Sequence, residues 1–375
     1  MSVLILTMPG DYHAHAVRWA VGRLGGDARV LYPMDLCAGG QWTFAPDGDS
    51  LLIDGNGERQ SLSRADYRTL WVRRPGSVFP LDKIADTAER AVAEDELRAF
   101  ISGVVNWLEV GKFVVNPSAA TVIAGNKTYQ FALAESLGLT GAKTLVSNSP
   151  RDILAFFDAC GGEFVFKPLR PALWTISETQ KSIVPTTLIT DRSLLTGSDL
   201  SSAPGIYQEK IVKQGEIRAT FMGRSVFCWE KRFDRRPHEE LEIDWRGMYK
   251  DCDHRQHELP ADIVDKCHRL MKVLGLVYGA FDFALDADGS YHFLEVNPQG
   301  QFLWGDQVGV GLNQLEAFAE FLLARDPDFR YSNAGRFTLQ DYDAEDLYQA
   351  AQEAETRDHY GNVTTFNYKQ VAVAF

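Results

Sequence analysis

The sequence has no run of about 18 apolar residues, and Met1–Thr7 is a short apolar strand without a charged lead, so neither a spanning helix nor a signal peptide is read; the cytoplasm is expected. Positive charge is scarce. The 38 Lys and Arg stand against 51 Asp and Glu, a formal net charge of -13, which excludes a sequence-independent grip on nucleic acid or an anionic membrane and leaves room only for a local basic cleft. Cysteine is sparse as well. Cys37, Cys160, Cys228, Cys252 and Cys267 are odd in number, widely spaced and never C-x-x-C, the pattern of reduced packing residues rather than of a disulfide frame or zinc site. Low-complexity tracts and fixed-period repeats are missing too. What is present is 375 residues, 45% apolar and 24% charged: a folded, enzyme-sized chain too long for one core, expected to form two or three packed units.

The first unit opens as β-α-β: VLILTM at 3–8 is a buried strand, Asp11–Leu24 a helix stopped by Gly25-Gly26, and Arg29–Tyr32 a second strand, together predicting a small parallel sheet. Gln41–Leu62 reads as a hairpin excursion, Leu70–Val72 as a returning strand that runs into Arg73-Arg74-Pro75, and Ile84–Leu108 as one long amphipathic helix. The second unit has a helix over Lys127–Leu137, a strand at Thr144–Val146, a helix opened by Ser149-Pro150, and an exit strand at Phe164–Lys167. Residues 168–205, rich in Pro, Ser and Thr, read as a long loop with irregular strands. The third unit begins at Ile206 with strands at Ile206–Val212, Glu216–Phe221 and Ser225–Lys231, then a helix over Ala261–Leu274 stopped by Gly275, a hairpin, and a closing helix at Gln314–Leu323. The expected domains are thus 1–115, 116–205, 206–330 and an acidic extension, 331–375, with one helical stretch near Ala344–Glu355.

The most informative segment is AFDFALDADGSYHFLEVN, Ala280–Asn297. With Asp288-Gly289 as a two-residue type I′ turn, Asp282 falls opposite Glu295. Phe281, Phe283 and Leu285 then face Val296, Leu294 and His292 on one side, while Asp282, Glu295 and Asn297 share the other. Two carboxylates directly opposite each other destabilise a hairpin unless a cation lies between them, and oxygen-only ligands favour Mg²⁺ or Mn²⁺ over zinc. A solvated strand face accounts for the alternation equally well.

Lys127 opens a helix and Lys167 ends an apolar strand, where a charge commonly needs an anionic partner; a polyphosphate is one that needs no Gly-rich Walker loop, which the chain lacks, and both also read as ordinary surface lysines. Tyr207–Ile211 breaks an apolar run with Gln208, Glu209 and Lys210, as a strand reading adenine and ribose does and as a plain edge strand also does. Glu216 and Arg218 share a strand face; Arg218 suits a transferring phosphoryl group or a cross-strand ion pair, and Lys231 with Arg232 end the next strand beside the same cleft. Cys252–Glu258 bunches metal-ligand types but reads as a solvated loop and is assigned no metal.

Taken in order, Asn126-Lys127, Phe166-Lys167-Pro168, Gln208–Ile211, Glu216-Ile217-Arg218, Asp282 and Glu295-Val296-Asn297 resemble the ATP-grasp superfamily over about residues 115–325, with an N-terminal α/β domain ahead of two α+β subdomains that clasp ATP. Trp71–Pro75 and Glu295–Trp304 are more similar to the graspetide (microviridin) ligases, which crosslink ribosomal peptides, than to ribosomal S6 glutamate ligases or glutathione synthetases, which follow Glu-x-Asn with a Ser-Pro-Gly type loop. Two features depart from the pattern: the loop after Lys167 lacks a glycine cluster, and the tail after about Arg330 has no counterpart.

The resemblance implies Lys127 and Lys167 on the phosphates of ATP and Gln208, Glu209, Lys210, Ile211 and Glu216 around the rest of it. It also implies Asp282, Glu295 and Asn297 on Mg²⁺, and Arg218, Lys231 and Arg232 at the reacting groups. Arg73, Arg74, Phe302 and Trp304 are expected to meet a precursor peptide with leader and core parts. The implied reaction phosphorylates an Asp or Glu side chain of that peptide and closes it as an ester or amide, releasing ADP. A ligase adding a free amino acid and a non-catalytic nucleotide-binding scaffold are the rival readings, and a homodimer is left open.

Overall fold

A computed structural model of the chain describes residues 2–38, 40–55, 58–75, 84–170, 173–177, 180–183, 186–196, 198–232, 253–349 and 351. In the first unit β1 (Val3–Leu6) is buried at every position, as an inner parallel strand covered on both faces must be. The helix α1 (Tyr12–Arg23), capped by Asp11 accepting from the His13 N–H, returns the chain to β2 (Ala28–Leu31). After a short α2 (Asp35–Ala38), the expected hairpin is a three-stranded antiparallel meander of β3 (Gln41–Ala45), β4 (Ser50–Gly55) and β5 (Glu58–Ser63). Two further strands, β6 (Thr69–Val72) and β7 (Phe113–Val115), flank the long α3 (Thr87–Glu109) and complete a parallel sheet of order β2-β1-β6-β7. The first turn of α3 is capped by Asp86, and its buried side chains, Val104, Val105 and Leu108, all lie in its C-terminal part.

Two helices, α4 (Ser118–Ala124) and α5 (Lys127–Ser136), lead into the central sheet; the Asn126 side chain accepts from the Tyr129 N–H and so starts α5 at Lys127. The sheet has β8 (Thr144–Ser147), then α6 (Pro150–Ala159) with Ser149 as its cap, then β9 (Phe164–Lys167). The stretch expected as a loop carries β10 (Leu173–Ser177) paired with β11 (Gln180–Ile183), then β12 (Thr187–Ile189) and two 3₁₀ turns. β13 (Gly205–Gln208), read from sequence as the start of the third unit, hydrogen-bonds into this central sheet, whose order is β12-β9-β13-β8.

The third sheet, β16-β15-β14-β17-β18, is antiparallel: β14 (Lys213–Met222), β15 (Ser225–Arg232), β16 (Asp253–Gln256), β17 (Tyr278–Asp286) and β18 (Tyr291–Asn297). Between β16 and β17 runs α7 (Ala261–Leu274), which lays Cys267, Leu270, Met271 and Leu274 against Phe221, Phe281 and Phe283 and ends at Gly275, left-handed at φ 72°. Each such buried side chain contributes about 2 kcal/mol. The chain then forms α8 (Trp304–Gln307), α9 (Gln314–Ala324) and α10 (Leu339–Ala344).

Of the expected acidic extension, the described residues pack on the first unit. Phe337, Leu339 and Tyr342 are buried in the core that α1 and α9 share. The Tyr12 hydroxyl donates to Asp343 Oδ1 at 2.6 Å and the Tyr348 hydroxyl to the Gly10 carbonyl at 2.9 Å. Of the helix expected at Ala344–Glu355, residue 350 and the part from residue 352 lie outside the described residues.

Candidate active site

The β17-β18 hairpin pairs Asp282 with Glu295 and Phe281 with Val296, as the sequence predicts, but by a different route. Its loop has three residues, not two: the Gly289 N–H donates to the Asp286 carbonyl, the Asp286 N–H to the Ser290 carbonyl, and Gly289 takes φ 80°. That shifts the pairing by one, so Phe283 faces Phe293 and Leu285 faces Tyr291 rather than Leu294 and His292. A bulge between Phe283 and Asp282 then restores the register at the acidic end. Phe293, not Leu294, fills the core.

On the opposite face a row of charges crosses the sheet. Glu216 stands across from Lys231, Arg218 across from Asp282, and Asp282 across from Glu295. Arg218 Nε lies 3.1 Å from Asp282 Oδ1, and Lys127 Nζ, from the first turn of α5, lies 3.2 Å from Glu295 Oε2. Lys231 Nζ is 3.9 Å from Glu216 Oε2, and Lys213 hydrogen-bonds the other Glu216 oxygen. Lys167 reaches the same group from the end of β9 and feels the charges of Glu295, Lys127, Lys213 and Glu216. Five cations and three carboxylates therefore converge where the central and third sheets meet.

The charges are unequally balanced. Asp282 is pushed up to about 6, first by burial, which Arg218 opposes, and further by the neighbouring Glu295. Burial works against Glu295 as well, but Lys127, through charge and hydrogen bond, with Lys167 and Arg218 holds it below the usual carboxylate range. Glu216 is held low in the same way by Lys213, Lys231 and Lys167. Burial lowers Lys167 to about 8. Asp282 and Glu295 are thus adjacent carboxylates paired with Arg218 and Lys127, and with 27% and 28% of their side-chain surface exposed they face the cleft.

The same-face Asn297 accepts from the Gln299 N–H at 2.9 Å, which leaves its carbonyl oxygen a second lone pair. Among the described residues no three His, Cys, Asp or Glu side chains form a metal cage. Two carboxylates and an amide fit a cation that takes its remaining ligands from water and phosphate, the habit of Mg²⁺. Arg218 Nη1 is buried without a hydrogen-bond partner among the described residues, beside Gly300, where any side chain would collide with Ala280.

Other expected residues lie differently. Gln208 is buried and donates to Thr144 Oγ1 at 2.8 Å; Glu209 lies 3.3 Å from Lys143, and Lys210 3.8 Å from Glu163. With the half-buried Ile211 they lead the chain from β13 to β14, along the edge of the junction. Arg232 does not share Lys231's face. Adjacent strand residues point to opposite sides, and Arg232 Nε lies 3.8 Å from Glu230, which binds Arg255 on the other face. Arg73 and Phe302, expected to meet peptide, are each 1% exposed. Arg73 donates to the Gln299 carbonyl and pairs with Asp11 at 3.4 Å, while Phe302 packs on Phe318 with centroids 4.5 Å apart. Arg74 and Trp304 remain half-buried. Within the stretch expected as a loop, Asp253–Gln256 form the edge strand β16, and His257, just after it, lies 2.6 Å from the Tyr291 hydroxyl; Cys252 is outside the described residues.

Sequence reasoning missed Asn116 and Gln130. Asn116 donates to the carbonyls of Tyr278 and Pro298, both at 2.8 Å, and accepts from the N–H groups of Val277 and Tyr278. Gln130 grips Val296. The one available signal was the spacing of Gln130 from Lys127, a single helical turn.

No family model matches the chain, and no curated protein does. Solved structures do match. The macrocyclase MdnC of Microcystis aeruginosa MRC, bound with precursor peptide MdnA, is similar at TM-score 0.76 and 26% identity, over 87% of this chain and 100% of that one. A Chryseobacterium gregarium RiPP-associated ATP-grasp ligase in complex with ADP and a leader and core peptide gives 0.75 and 23%, over 88% and 100%. The ATP-grasp ligase PsnB, complexed with a phosphomimetic variant of minimal precursor, Mg and ADP, gives 0.67 and 21%, over 87% and 98%. With that architecture over 87 to 88% of its length, the chain has the ATP-grasp fold and is similar to the macrocyclase MdnC and to a RiPP-associated ATP-grasp ligase.

Proposed function

We propose that the chain uses ATP to activate a side-chain carboxylate of a ribosomally made precursor peptide and closes it onto a hydroxyl or amine of the same peptide. The observation that carries this reading is the Asp282–Glu295 pair, two carboxylates opposite each other on a strand face where five cations converge. Lys127 and Lys167 are assigned to the ATP phosphates, and the link Gln208–Ile211 to the adenine and ribose; Glu216 orients Lys213 and Lys231 toward them. Mg²⁺, or Mn²⁺, held by Asp282, Glu295 and Asn297, supplies charge that offsets the polyphosphate. Arg218 donates Nη1 to the transferring phosphoryl group.

A peptide carboxylate oxygen bonds to the γ-phosphorus as the bond to ADP breaks. The hydroxyl or amine then bonds to the acyl carbon, phosphate leaves, and the nucleophile's proton passes to solvent or phosphate. Positioning is the main contribution, because among the described residues no side chain is placed as a base. Arg74 and Trp304 are the peptide contacts retained from the sequence. We place the boundary between the two grasping units in residues 209–212, and the enzyme in the cytoplasm, where ATP and new peptides are both supplied. All assigned groups come from one chain, so the reading needs no second copy.

Incubation with ATP, Mg²⁺ and a candidate precursor is expected to release ADP and lower the peptide mass by about 18 Da per bond, one water for each condensation. A mass gain equal to an amino acid moves the protein to the free-amino-acid ligases. ATP binding with no acceptor-dependent ADP leaves a scaffold.

A further inference from the structure

Among the described residues β18 is the outer strand of its sheet, so the edge-facing N–H and C=O of the metal-side strand have no neighbouring strand there to pair with. At Val296 a side chain takes that place. Gln130 Oε1 accepts from the Val296 N–H at 3.0 Å, and Gln130 Nε2 donates to the Val296 carbonyl at 2.8 Å. The same Nε2 also donates to the Ala124 carbonyl at the end of α4. The amide, 2% exposed, thus ties two helices to one residue of the strand. Gln130 follows Lys127 by one turn of α5, and Val296 follows Glu295, so this clamp lies next to the Lys127–Glu295 pair, 3.2 Å apart.

We infer that Gln130 is a positioning residue that fixes α5 against β18 and thereby sets Lys127 against Glu295. The other ties lie further from the pair: Ala134, Phe131 and Leu133 of α5 share an apolar cluster with Val296 and Phe293, and the Phe293 N–H donates to the Thr140 carbonyl at 2.9 Å, which leaves Gln130 as the polar clamp beside Lys127 and Glu295. The inference rests on the proposed roles of Lys127 at the phosphates and Glu295 at the cation. Its consequence is that nucleotide–metal affinity depends on a side chain that touches neither ligand, as outer-shell groups around metal ligands do.

Gln130→Glu keeps the size and still accepts from Val296 N–H, but turns an oxygen toward the Val296 and Ala124 carbonyls; Gln130→Met keeps the volume without either bond. The affinity for ADP with Mn²⁺, measured by calorimetry on folded full-length protein, is expected to fall on the order of tenfold in both variants. The KM for peptide stays near wild type. In a Lys127→Met background, Gln130→Met is expected to add no further loss, because the clamp acts through that lysine.

Folded variants with wild-type ADP–Mn²⁺ affinity, or losses that add fully to that of Lys127→Met, overturn the inference and leave Gln130 a packing residue. The underlying reading fails separately: wild-type protein then binds no ADP–Mn²⁺, or Lys127→Met and Glu295→Gln bind it unchanged.

Discussion

Asp282 and Lys167 carry charges that the fold alone does not settle, and each yields a pH signature. Asp282 titrates near 6 because burial and Glu295 disfavour its ionised form, so protons compete with a cation for it. Mn²⁺ affinity, followed by electron paramagnetic resonance, is expected to be flat above pH 7 and to fall as the pH drops below about 6. Lys167 titrates near 8 because burial disfavours its cation, and a bound phosphate restores that cation. ATP binding at pH 8 to 9 is therefore expected to take up protons, read as a dependence of calorimetric heat on buffer ionisation enthalpy; Lys167→Met removes it. Asp282→Asn and Glu295→Gln should each stay folded and lose turnover on the order of 100-fold or more, the scale of removing one charge-stabilising group. Wild-type turnover at ordinary Mg²⁺ in either variant contradicts the assigned cation site. Asp282 and Glu295 were legible in sequence because strand alternation separates the acidic face from the apolar one. Arg73 and Phe302 were not, because a guanidinium beside a strand end gives no sign that Asp11 and the Gln299 carbonyl, from other parts of the chain, will bury it.

Elements with local signals appear close to where the sequence puts them. Asn126, Ser149 with Pro150, and Gly275 satisfy or end a helix through bonds within a few residues of themselves, so α5, α6 and α7 could be read directly. The sheet that β13 joins could not, since sheet membership is decided by partners some 40 to 60 residues away in β8 and β9. The hairpin shows how two local departures can cancel. A loop one residue longer than expected and a bulge beyond it leave Asp282 opposite Glu295, while the intervening pairs are displaced by one. Gly289 holds the loop at φ 80° with open space around it, so Gly289→Ala is expected to cost about 1 kcal/mol from the left-handed backbone alone. Urea unfolding should report that loss with turnover kept, because the bulge, not the loop, sets the register at the site.

At the scale of the whole molecule, the segment after Arg330 has the most to say about what holds the first unit together. From sequence it is an acidic tail, because Phe337, Leu339 and Tyr342 are spaced among polar residues without a repeating period. In the fold these three are 3%, 1% and 2% exposed and close the core between α1 and α9. At about 2 kcal/mol for each, their burial contributes about 6 kcal/mol, a large share of the 5–15 kcal/mol that separates a native protein from its unfolded chain. Glu316 adds to the dependence. It is fully buried on α9 and accepts from the Tyr331 hydroxyl at 2.6 Å, from Arg336 Nε at 2.7 Å, and from the Gly335 and Arg336 N–H groups at 3.0 and 3.1 Å. A chain ended at Arg330 would keep that carboxylate in the core with these four donors gone and the Asn313 amide, at 2.6 Å, left to it, the costly case of a buried charge that loses most of its partners. Such a truncation is expected to abolish cooperative unfolding of the first unit, or to leave the protein insoluble, although every residue assigned to ATP and the cation is still present. Replacing Glu316 with Gln in the truncated chain should recover part of the lost stability, since it removes the charge and keeps the shape. A truncated protein that melts like the full chain would mean that the α1–α9 core closes without residues 331–349.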